Sequence, residues 1–245
     1  MPQTFLELVR EQARKNPARI VFPETFDERT LQACAQILKE GTAHPILIGE
    51  PQKLAEDFKK FGLTFDQKTY TIIDMAHDDE RRQHYAQALF ELRQEKGMTL
   101  DAAQKLMTDL NYFAVMVVKM NDADGLISGA NTASSNTLKP ALQIMKTKEP
   151  FHKVSGFFFM VLQNRPLLFA DCMVNIEPDA HELAEIAIDT AQTAKRFGIE
   201  PRIAMLSFST NGSAKHPSPE RVREATARVR YLHPELLCEG EMQVD

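Results

Sequence analysis

Two short segments rich in hydroxyl, amide and glycine residues are the parts of this sequence best suited to binding an anion. They are SGANTASSNT (128–137), which follows the apolar run DGLI, and SFSTNGSA (207–214), which follows RIAML. Each opens a predicted helix, and the first N–H groups of a helix favour phosphate. The alternative is an ordinary capping loop or solvated turn. The residues in them that we predict to contact substrate are Ser128, Gly129, Thr132, Ser134, Ser207, Ser209, Thr210 and Gly212.

Two basic residues are further candidates for holding an anion. Arg93 lies in ELRQEKGMT, and Lys139 lies in TLKPAL. Lys139 directly precedes Pro140 and is therefore expected near the start of a helix, where a positive charge opposes the helix macrodipole and indicates a partner anion. The alternative for Arg93 is a solvated position on a charged helix. We add both residues to the predicted substrate-binding set.

The sequence lacks complete motifs for metals and nucleotide cofactors. HELAE (181–185) has glutamate where a zinc protease motif needs its second histidine. DADG (122–125) begins like a calcium loop, but its glycine comes too early. Cys34, Cys172 and Cys238 form no CxxC pair and are expected to be small buried or half-buried residues. We therefore predict no metal site and no permanently bound cofactor.

Apolar runs alternate with amphipathic helical patterns along the chain, which predicts an α/β fold with mainly parallel sheets. The expected strands are RIVF, PILIG, YTIID, DGLISG and RIAML, with VSGFFFMVL and RPLLFADCMV as an antiparallel pair. The polar stretch KTKEPFHK (146–153) is a predicted linker. We therefore expect a first domain at 1–147 and a second at 148–245. The chain stops at EMQVD, which resembles the middle of an element, so we expect a truncated product or a fragment.

Composition limits the class of protein. A net charge of −5 argues against nucleic-acid binding, which is typical of basic surfaces. No apolar stretch approaches the roughly 18 residues of a membrane span, and the N-terminus lacks the apolar core of a signal peptide. The absence of a disulfide pattern fits a reducing compartment. We expect a cytoplasmic protein with no membrane partner.

In its motifs and their order the chain resembles the phosphate acetyltransferase and phosphate butyryltransferase family, and the acetyl branch more closely. The stretches that carry the resemblance are VFPETFDERTLQA, PILIGEP, ELRQEKGMT, YFAVMVVKMNDADGLISGA, TLKPALQIMKT, FADCMVNIEPDAHELAEIAIDTAQTAKRFGIEPRIAMLSFSTNGSAK and VREATA. The resemblance implies two α/β domains of isocitrate/isopropylmalate-dehydrogenase-like architecture, with the active site in the cleft between them. It also implies acetyl transfer between coenzyme A and phosphate, with acetyl-CoA, phosphate and acetyl phosphate as substrates, and a homodimer.

In the mechanism implied by the resemblance, a base removes the thiol proton of coenzyme A, and the thiolate attacks the carbonyl of acetyl phosphate without a metal. Arg93 matches a family arginine associated with ligand binding. Lys139 stands where the family has the arginine of R-P-A-L, so the charge is kept and the bidentate fork is lost.

The motif P-V-N-D-L-S-R-G, whose serine, arginine and aspartate the family assigns to catalysis, does not occur. The family segment that carries it also completes the first domain. We accordingly predict no catalytic residue within the sequence. A non-catalytic paralogue that binds coenzyme A, acetyl phosphate or a partner subunit remains the alternative. A decarboxylating dehydrogenase of related architecture is a more remote one.

Overall fold

A computed structural model describes residues 3–64, 66, 68–147, 151–163 and 165–244. The chain divides into two compact units, one formed by Leu6–Lys146 and the other by Met1–Phe5 together with Thr147–Asp245. We call the first the N-terminal unit and the second the C-terminal unit. None of the described helices combines the length and the hydropathy that a bilayer crossing requires.

The N-terminal unit is built on a four-stranded parallel sheet in the order β3-β2-β1-β4. The strands are β1 (Ala18–Phe22), β2 (Ala43–Ile48), β3 (Thr71–Ile73) and β4 (Gly125–Leu126). The helices are α1 (Phe5–Lys15, which joins this unit from its second residue), α2 (Glu28–Glu40), α3 (Pro51–Lys60), α4 (Asp79–Arg93), α5 (Leu100–Leu106), α6 (Leu110–Lys119) and α7 (Ser134–Ile144).

The strand residues of this sheet alternate between two cores, as the period of two in a β-strand requires. Val21 and Ile46 pack with α4 and α6 on one face, whereas Phe22 and Leu47 pack with α2 and α3 on the other. Helix α6 is buried on most sides, with seven consecutive buried residues from Asn111 onward. The sheet is therefore covered on both faces, which leaves its carboxyl edge as the open place for a ligand.

The C-terminal unit contains an antiparallel hairpin and a parallel strand pair. The strands are β5 (Phe157–Leu162), β6 (Arg165–Ala170), β7 (Arg202–Leu206) and β8 (Leu237–Met242), and the helices are α8 (Ala180–Arg196) and α9 (Pro217–Leu232). The antiparallel pairing of β5 with β6 confirms the prediction from their tight connection. An alanine stripe on α8, which includes Ala184 and Ala191, packs against Ala225 and Val229 of α9.

The predicted helices and strands are present, and so is the mixed α/β fold with mainly parallel pairing. One strand was missed. Strand β8 lies in the last described part of the chain and pairs in parallel with β7, where the sequence indicated only an unfinished element at EMQVD. The prediction that the three cysteines are buried or half-buried is confirmed, since Cys34 and Cys238 are buried and Cys172 is intermediate.

Candidate functional site

The carboxyl edge of the sheet in the N-terminal unit has a point where the strand order reverses. Strand β1 has β2 on one side and β4 on the other, so the chain leaves β1 and β4 in different directions. Open α/β sheets bind ligands at such switch points. The loop after β1 and the predicted segment 128–137 after β4 both start there.

The carboxylate of Glu24, in the loop after β1, organises the segment after β4. One oxygen of Glu24 accepts hydrogen bonds from the backbone N–H groups of Gly129 and Ala130, each at 2.7 Å. The other accepts from the N–H of Asn131 at 3.0 Å and from the hydroxyl of Thr132 at 2.6 Å. The anion held by these four donors is therefore a side chain of the protein.

Glu24 is only 2% exposed, yet it is held in the ionised form. Burial is the largest single effect on its pKa and raises it, but the hydrogen bonds from Thr132 and the three N–H groups together outweigh burial and lower the pKa. Gly129 has φ of 108°, a conformation that residues with a β-carbon rarely adopt. Glycine at this position therefore allows the backbone to adopt the conformation in which the N–H groups point toward Glu24.

A second contact ties the loop after β1 to the same segment. Arg29 donates to the backbone oxygen of Ala130 at 2.7 Å and pairs with Asp27 at 2.6 Å. Asp27 also caps α2 by accepting the N–H of Arg29. The guanidinium of Arg29 holds the pKa of Asp27 below its ordinary value, mainly through the hydrogen bond between the two side chains.

A cavity of about 450 Å³ lies beside α7 in the N-terminal unit. Its wall is mostly apolar, and its residues are Val115, Val118, Leu126, Ile127, Ser128, Thr137, Ala141 and Met145. Ser128 donates its hydroxyl to the side-chain oxygen of buried Asn111 at 2.8 Å. The hydroxyl oxygen of Thr137 is buried and has no hydrogen-bond partner among the residues that the structure describes. The cavity thus combines apolar walls with two hydroxyls.

Helix α7 begins at Ser134, and its N-cap residue Ala133 supplies no side-chain hydrogen bond to the first turn. Ser134 and Lys139 are exposed, and Lys139 forms no ion pair with any other described residue. The prediction that Lys139 lies near a helix start is wrong, because Lys139 is the sixth residue of α7 and Pro140 lies within the helix. Its charge nevertheless remains free for an external anion.

Arg93 lies at the other end of α7. Its guanidinium donates to the backbone oxygen of Gln143 at 2.8 Å, and its Nε is buried without a partner in the described part of the chain. Gln143 follows Ser134 by nine residues, or about 14 Å along a helix axis. The structure therefore does not bring Arg93 together with the start of α7. It places Arg93 where its charge favours the carbonyl end of that helix.

The loop after β7 in the C-terminal unit also surrounds a buried glutamate. Glu241, on β8, is 1% exposed. One oxygen of its carboxylate accepts from the hydroxyl of Ser209 at 2.8 Å, the N–H of Gly212 at 2.9 Å and the guanidinium of Arg223 at 3.0 Å. The Gly212 hydrogen bond contributes most to lowering the pKa of Glu241 to about 2, and the Ser209 and Arg223 contacts add to it against the opposing effect of burial.

The two remaining predicted residues of this loop, Ser207 and Thr210, differ in whether their hydroxyl group still has a free donor. Ser207 accepts the N–H of Ser209 at 3.3 Å, and its hydroxyl proton has no acceptor among the described residues. Thr210 exchanges two hydrogen bonds with Gln243, at 2.9 and 3.3 Å. Within the loop, Ser207 therefore retains a donor, whereas Ser209, Thr210 and Gly212 use theirs inside the protein.

Sequence reasoning missed both glutamates. Glu24 follows a buried strand in VFPET. A buried carboxylate costs free energy unless hydrogen-bond donors surround it, so its position in the sequence indicated that such donors lie nearby. Glu241 gave no signal, because β8 reads LCEGEM and its burial does not follow a simple alternation. In each unit the hydroxyl-rich loop and its glutamate come from separate parts of the chain, so no local motif contains both.

Comparisons with known proteins confirm the resemblance found in the sequence. Residues 4–245 match the model of a family described as phosphate acetyl/butaryl transferase. A phosphate acetyltransferase of Bacillus subtilis is 43% identical over 238 residues, which are 97% of this chain and 72% of that protein. A phosphate acetyltransferase of Synechocystis is 38% identical over all of this chain, which spans only 35% of that longer protein.

Solved structures give the same result for the fold. A phosphotransacetylase from Streptococcus pyogenes matches with a TM-score of 0.86 and 44% identity, over 98% of this chain and 73% of that one. A branched-chain phosphotransacylase from Enterococcus faecalis matches with a TM-score of 0.58 at 18% identity, over 93% of this chain and 69% of that one. At that identity the second match shows a shared fold alone.

Proposed function

Because the chain belongs to the phosphate acetyl/butaryl transferase family, we propose that it takes part in reversible acetyl transfer between coenzyme A and inorganic phosphate. The observation that carries the proposal is the match to phosphate acetyltransferases at about 40% identity over nearly the whole chain. The proposed acyl group is acetyl, because these relatives are named phosphate acetyltransferases. Acetyl-CoA, phosphate, acetyl phosphate and coenzyme A are then the substrates and products.

The reaction forms a thioester and breaks an acyl phosphate, or the reverse. The thiolate of coenzyme A attacks the acetyl carbonyl carbon, the carbon–oxygen bond to phosphate breaks, and phosphate leaves with the electron pair. Fixed positive charge and N–H donors stabilise both the oxyanion and the leaving phosphate. No residue of this chain is assigned as the base, so the proposal concerns how the chain binds and orients the reactants.

In the N-terminal unit, the start of α7 is proposed to hold the phosphoryl group. Its first N–H groups receive no side-chain cap, and the exposed hydroxyl of Ser134 stands beside them. Lys139 follows Ser134 by five residues, about 7.5 Å along the axis, and helical side chains lean back toward the N-terminus. Glu24 supports this arrangement by fixing Gly129 and Thr132, the residues just before the helix.

The cavity beside α7 is proposed to take the acyl thioester end of coenzyme A. Its volume of about 450 Å³ lies within the range of small-molecule sites, and apolar walls with few polar groups are typical of them. The Thr137 hydroxyl is buried without a partner in the described part of the chain, so a hydrogen bond to the ligand would satisfy it. Ser128 lines the same cavity but already donates to Asn111.

In the C-terminal unit, Ser207 is the proposed substrate contact of the loop after β7. Its hydroxyl retains a donor, while Ser209 and Gly212 fix the loop through Glu241. Thr210 holds the loop to Gln243. Arg93 is proposed to act from the carbonyl end of α7, where its guanidinium supplies positive charge beside the Gln143 carbonyl.

We extend the proposal to a second copy of the chain as a partner. The hairpin of β5 and β6 exposes an apolar face on which Phe158 pairs across the strands with Phe169, and Met160 and Leu162 continue the same side. Exposed apolar faces of this kind mark association surfaces. On the other side of the hairpin, the ring of Phe159 contacts that of Phe197, with the ring centroids 4.7 Å apart.

The use of coenzyme A and the three free cysteines are consistent with a reducing compartment, and we propose the cytoplasm as the location. The test of function is release of the coenzyme A thiol from acetyl-CoA, followed with and without phosphate. Phosphate-dependent release is the expected result. Binding of coenzyme A without thiol release would support the non-catalytic alternative. The absence of both binding and release would contradict the proposal.

A further inference from the structure

A cluster of two histidines and a glutamate lies in the C-terminal unit, away from the loop after β7 in sequence. His181 and Glu185 are four residues apart on α8 and therefore share one face of the helix. His152, in the segment 151–156 before β5, meets them there. The sequence predicted no metal at HELAE because glutamate stands where a zinc-protease motif needs its second histidine. The structure adds His152 from another segment to His181 and Glu185.

The three side chains converge on one point. The Nδ1 of His152 lies 2.7 Å from one oxygen of Glu185, and the Nδ1 of His181 lies 3.7 Å from the same oxygen. One potential ligand atom from each residue falls within 4.8 Å of the others. Ligands about 2.0–2.2 Å from a tetrahedral zinc ion stand roughly 3.3–3.6 Å apart, so small side-chain rotations suffice to admit the ion.

The carboxylate of this cluster is held in place by a contact that a metal would not displace. The second oxygen of Glu185 accepts the backbone N–H of His152 at 3.2 Å. Such outer contacts orient metal ligands and strengthen binding. The side chain of Glu185 is 15% exposed, whereas those of His152 and His181 are 76% and 47% exposed. The carboxylate is thus anchored, and the imidazoles remain open to an ion from solvent.

The nearest cation of the same segment is already neutralised. Lys153 pairs with Glu182, and Glu182 completes the capping box of α8 with Asp179. Lys153 therefore leaves the Glu185 carboxylate to the two histidines. With only the hydrogen bond from His152 to Glu185, the Nδ1 of His181 stays 3.7 Å from the carboxylate oxygen, which is beyond hydrogen-bond distance. One ion bonded to all three residues would use both imidazole rings.

We propose that His152, His181 and Glu185 form a Zn²⁺ site whose fourth position is filled by water. Two imidazoles and one carboxylate are a ligand set that zinc prefers, and calcium and magnesium prefer oxygen ligands. The ion would join the segment 151–156 to α8 within the C-terminal unit. The site is independent of the acetyl-transfer proposal, because none of its residues belongs to the proposed substrate contacts.

The test is calorimetric titration of the tag-free full chain with zinc chloride, with cobalt chloride as a spectroscopic substitute. We expect saturable binding of one Zn²⁺ per chain and the visible absorption of tetrahedral Co²⁺. The variants His181→Asn and Glu185→Gln should each weaken Zn²⁺ affinity by about tenfold or more. Magnesium and calcium chloride should not compete, and zinc should raise the Tm of the unaltered chain but not that of His181→Asn.

His84→Asn is the matched control, because His84 is an exposed histidine of the other unit and lies outside the cluster. It should leave both stoichiometry and affinity unchanged. His152→Asn tests the one ligand of the cluster that lies outside α8. Circular dichroism verifies that each variant is folded. Absence of saturable zinc binding would overturn the proposal, and so would binding that is equally strong in His152→Asn, His181→Asn and the control.

Discussion

The carboxylate of Glu24 accepts the hydroxyl of Thr132 at 2.6 Å, although the two residues are 108 positions apart in the chain. Together with the three N–H groups on the same carboxylate, this contact fixes the loop that leads into α7. Glu241 has the corresponding place in the C-terminal unit, where it holds the loop after β7. The donors of both loops are thus organised by an internal anion before any ligand binds.

The first prediction concerns Glu24→Gln. A glutamine amide presents an NH₂ group to donors that need an acceptor, so at least one buried N–H would lose its partner. We expect a loss of about 2–3 kcal/mol in the free energy of unfolding, measured by urea denaturation. Glu28→Gln is the control, because Glu28 is exposed, and its change should stay within about 0.5 kcal/mol. Equal effects of the two variants would contradict the role of Glu24.

The second prediction concerns the pH dependence that Glu241 produces. Its pKa in the folded chain is about 2, below the ordinary pKa of a glutamate. Its ionised form therefore stabilises the fold at every pH above that ordinary pKa. That contribution is lost as pH falls through the window from about 4.5 to 2. The difference in unfolding free energy between the unaltered chain and Glu241→Gln should therefore shrink across this window.

Urea denaturation at a series of pH values checks this result, with Glu239→Gln as the control. Glu239 is an exposed residue of the same strand, β8. A difference between the unaltered chain and Glu241→Gln that stayed constant from pH 6 to pH 2.5 would show that Glu241 is not ionised in the folded chain.

The third prediction concerns Lys139. If its ammonium binds the phosphoryl group, Lys139→Gln should weaken phosphate binding about fivefold, which corresponds to roughly 1 kcal/mol for an exposed charge pair. Lys139→Arg should retain the affinity, since it keeps the charge and adds a bidentate fork. Equilibrium dialysis with labelled phosphate measures both. Lys105→Gln, an exposed lysine on α5, should have no effect, and a comparable loss there would indicate a nonspecific charge effect.

The fourth prediction concerns the buried hydroxyl of Thr137, which has no hydrogen-bond partner among the described residues. Valine has nearly the same shape without a hydroxyl, so Thr137→Val should stabilise the chain by about 1 kcal/mol. The same change should weaken coenzyme A binding, because the proposed partner of the hydroxyl is the ligand. Thr25→Val should instead destabilise the chain by about 1 kcal/mol, since the Thr25 hydroxyl donates to Ile48 at 2.6 Å. Stability changes of the same sign would refute this reading.

The fifth prediction concerns the exposed face of the β5–β6 hairpin. Phe158→Glu places a charge on that face, so we expect a dimer to dissociate to monomers in sedimentation-velocity experiments. Ile176→Ser removes an exposed apolar side chain outside the hairpin and should leave the dimer intact. A monomeric unaltered chain would contradict the proposed second copy, and a dimer that survives Phe158→Glu would move the interface elsewhere.

The helices and strands of the fold were largely predictable, because most of them show their pattern within their own segment of the sequence. Strands such as RIVF and PILIG are buried on both faces, so they read as continuous apolar runs, and the period of α8 is visible in its alanine stripe. Strand β8 was not predictable, because it places a charged residue at a buried position and depends on Arg223, Ser209 and Gly212 to hold it.

The sequence singled out the segments 128–137 and 207–214, but it did not reveal what organises them. The composition of the segments 128–137 and 207–214 indicated anion binding, and both loops do surround an anion, which is a glutamate of the same chain in each case. Sequence spacing could not reveal this, because Glu24 and Glu241 reach the loops through sheet topology. The cluster of His152, His181 and Glu185 was not found in the sequence for the same reason, since His152 meets α8 only in three dimensions.

The most direct test of the central claim identifies the product made from acetyl-CoA and phosphate. Phosphorus NMR of the full chain with both substrates should show the resonance of acetyl phosphate increasing in step with the release of free thiol. The reverse reaction, from acetyl phosphate and coenzyme A, should consume that resonance. Thiol release without acetyl phosphate would indicate hydrolysis to acetate, and that result, or no reaction in either direction, would contradict acetyl transfer by this chain.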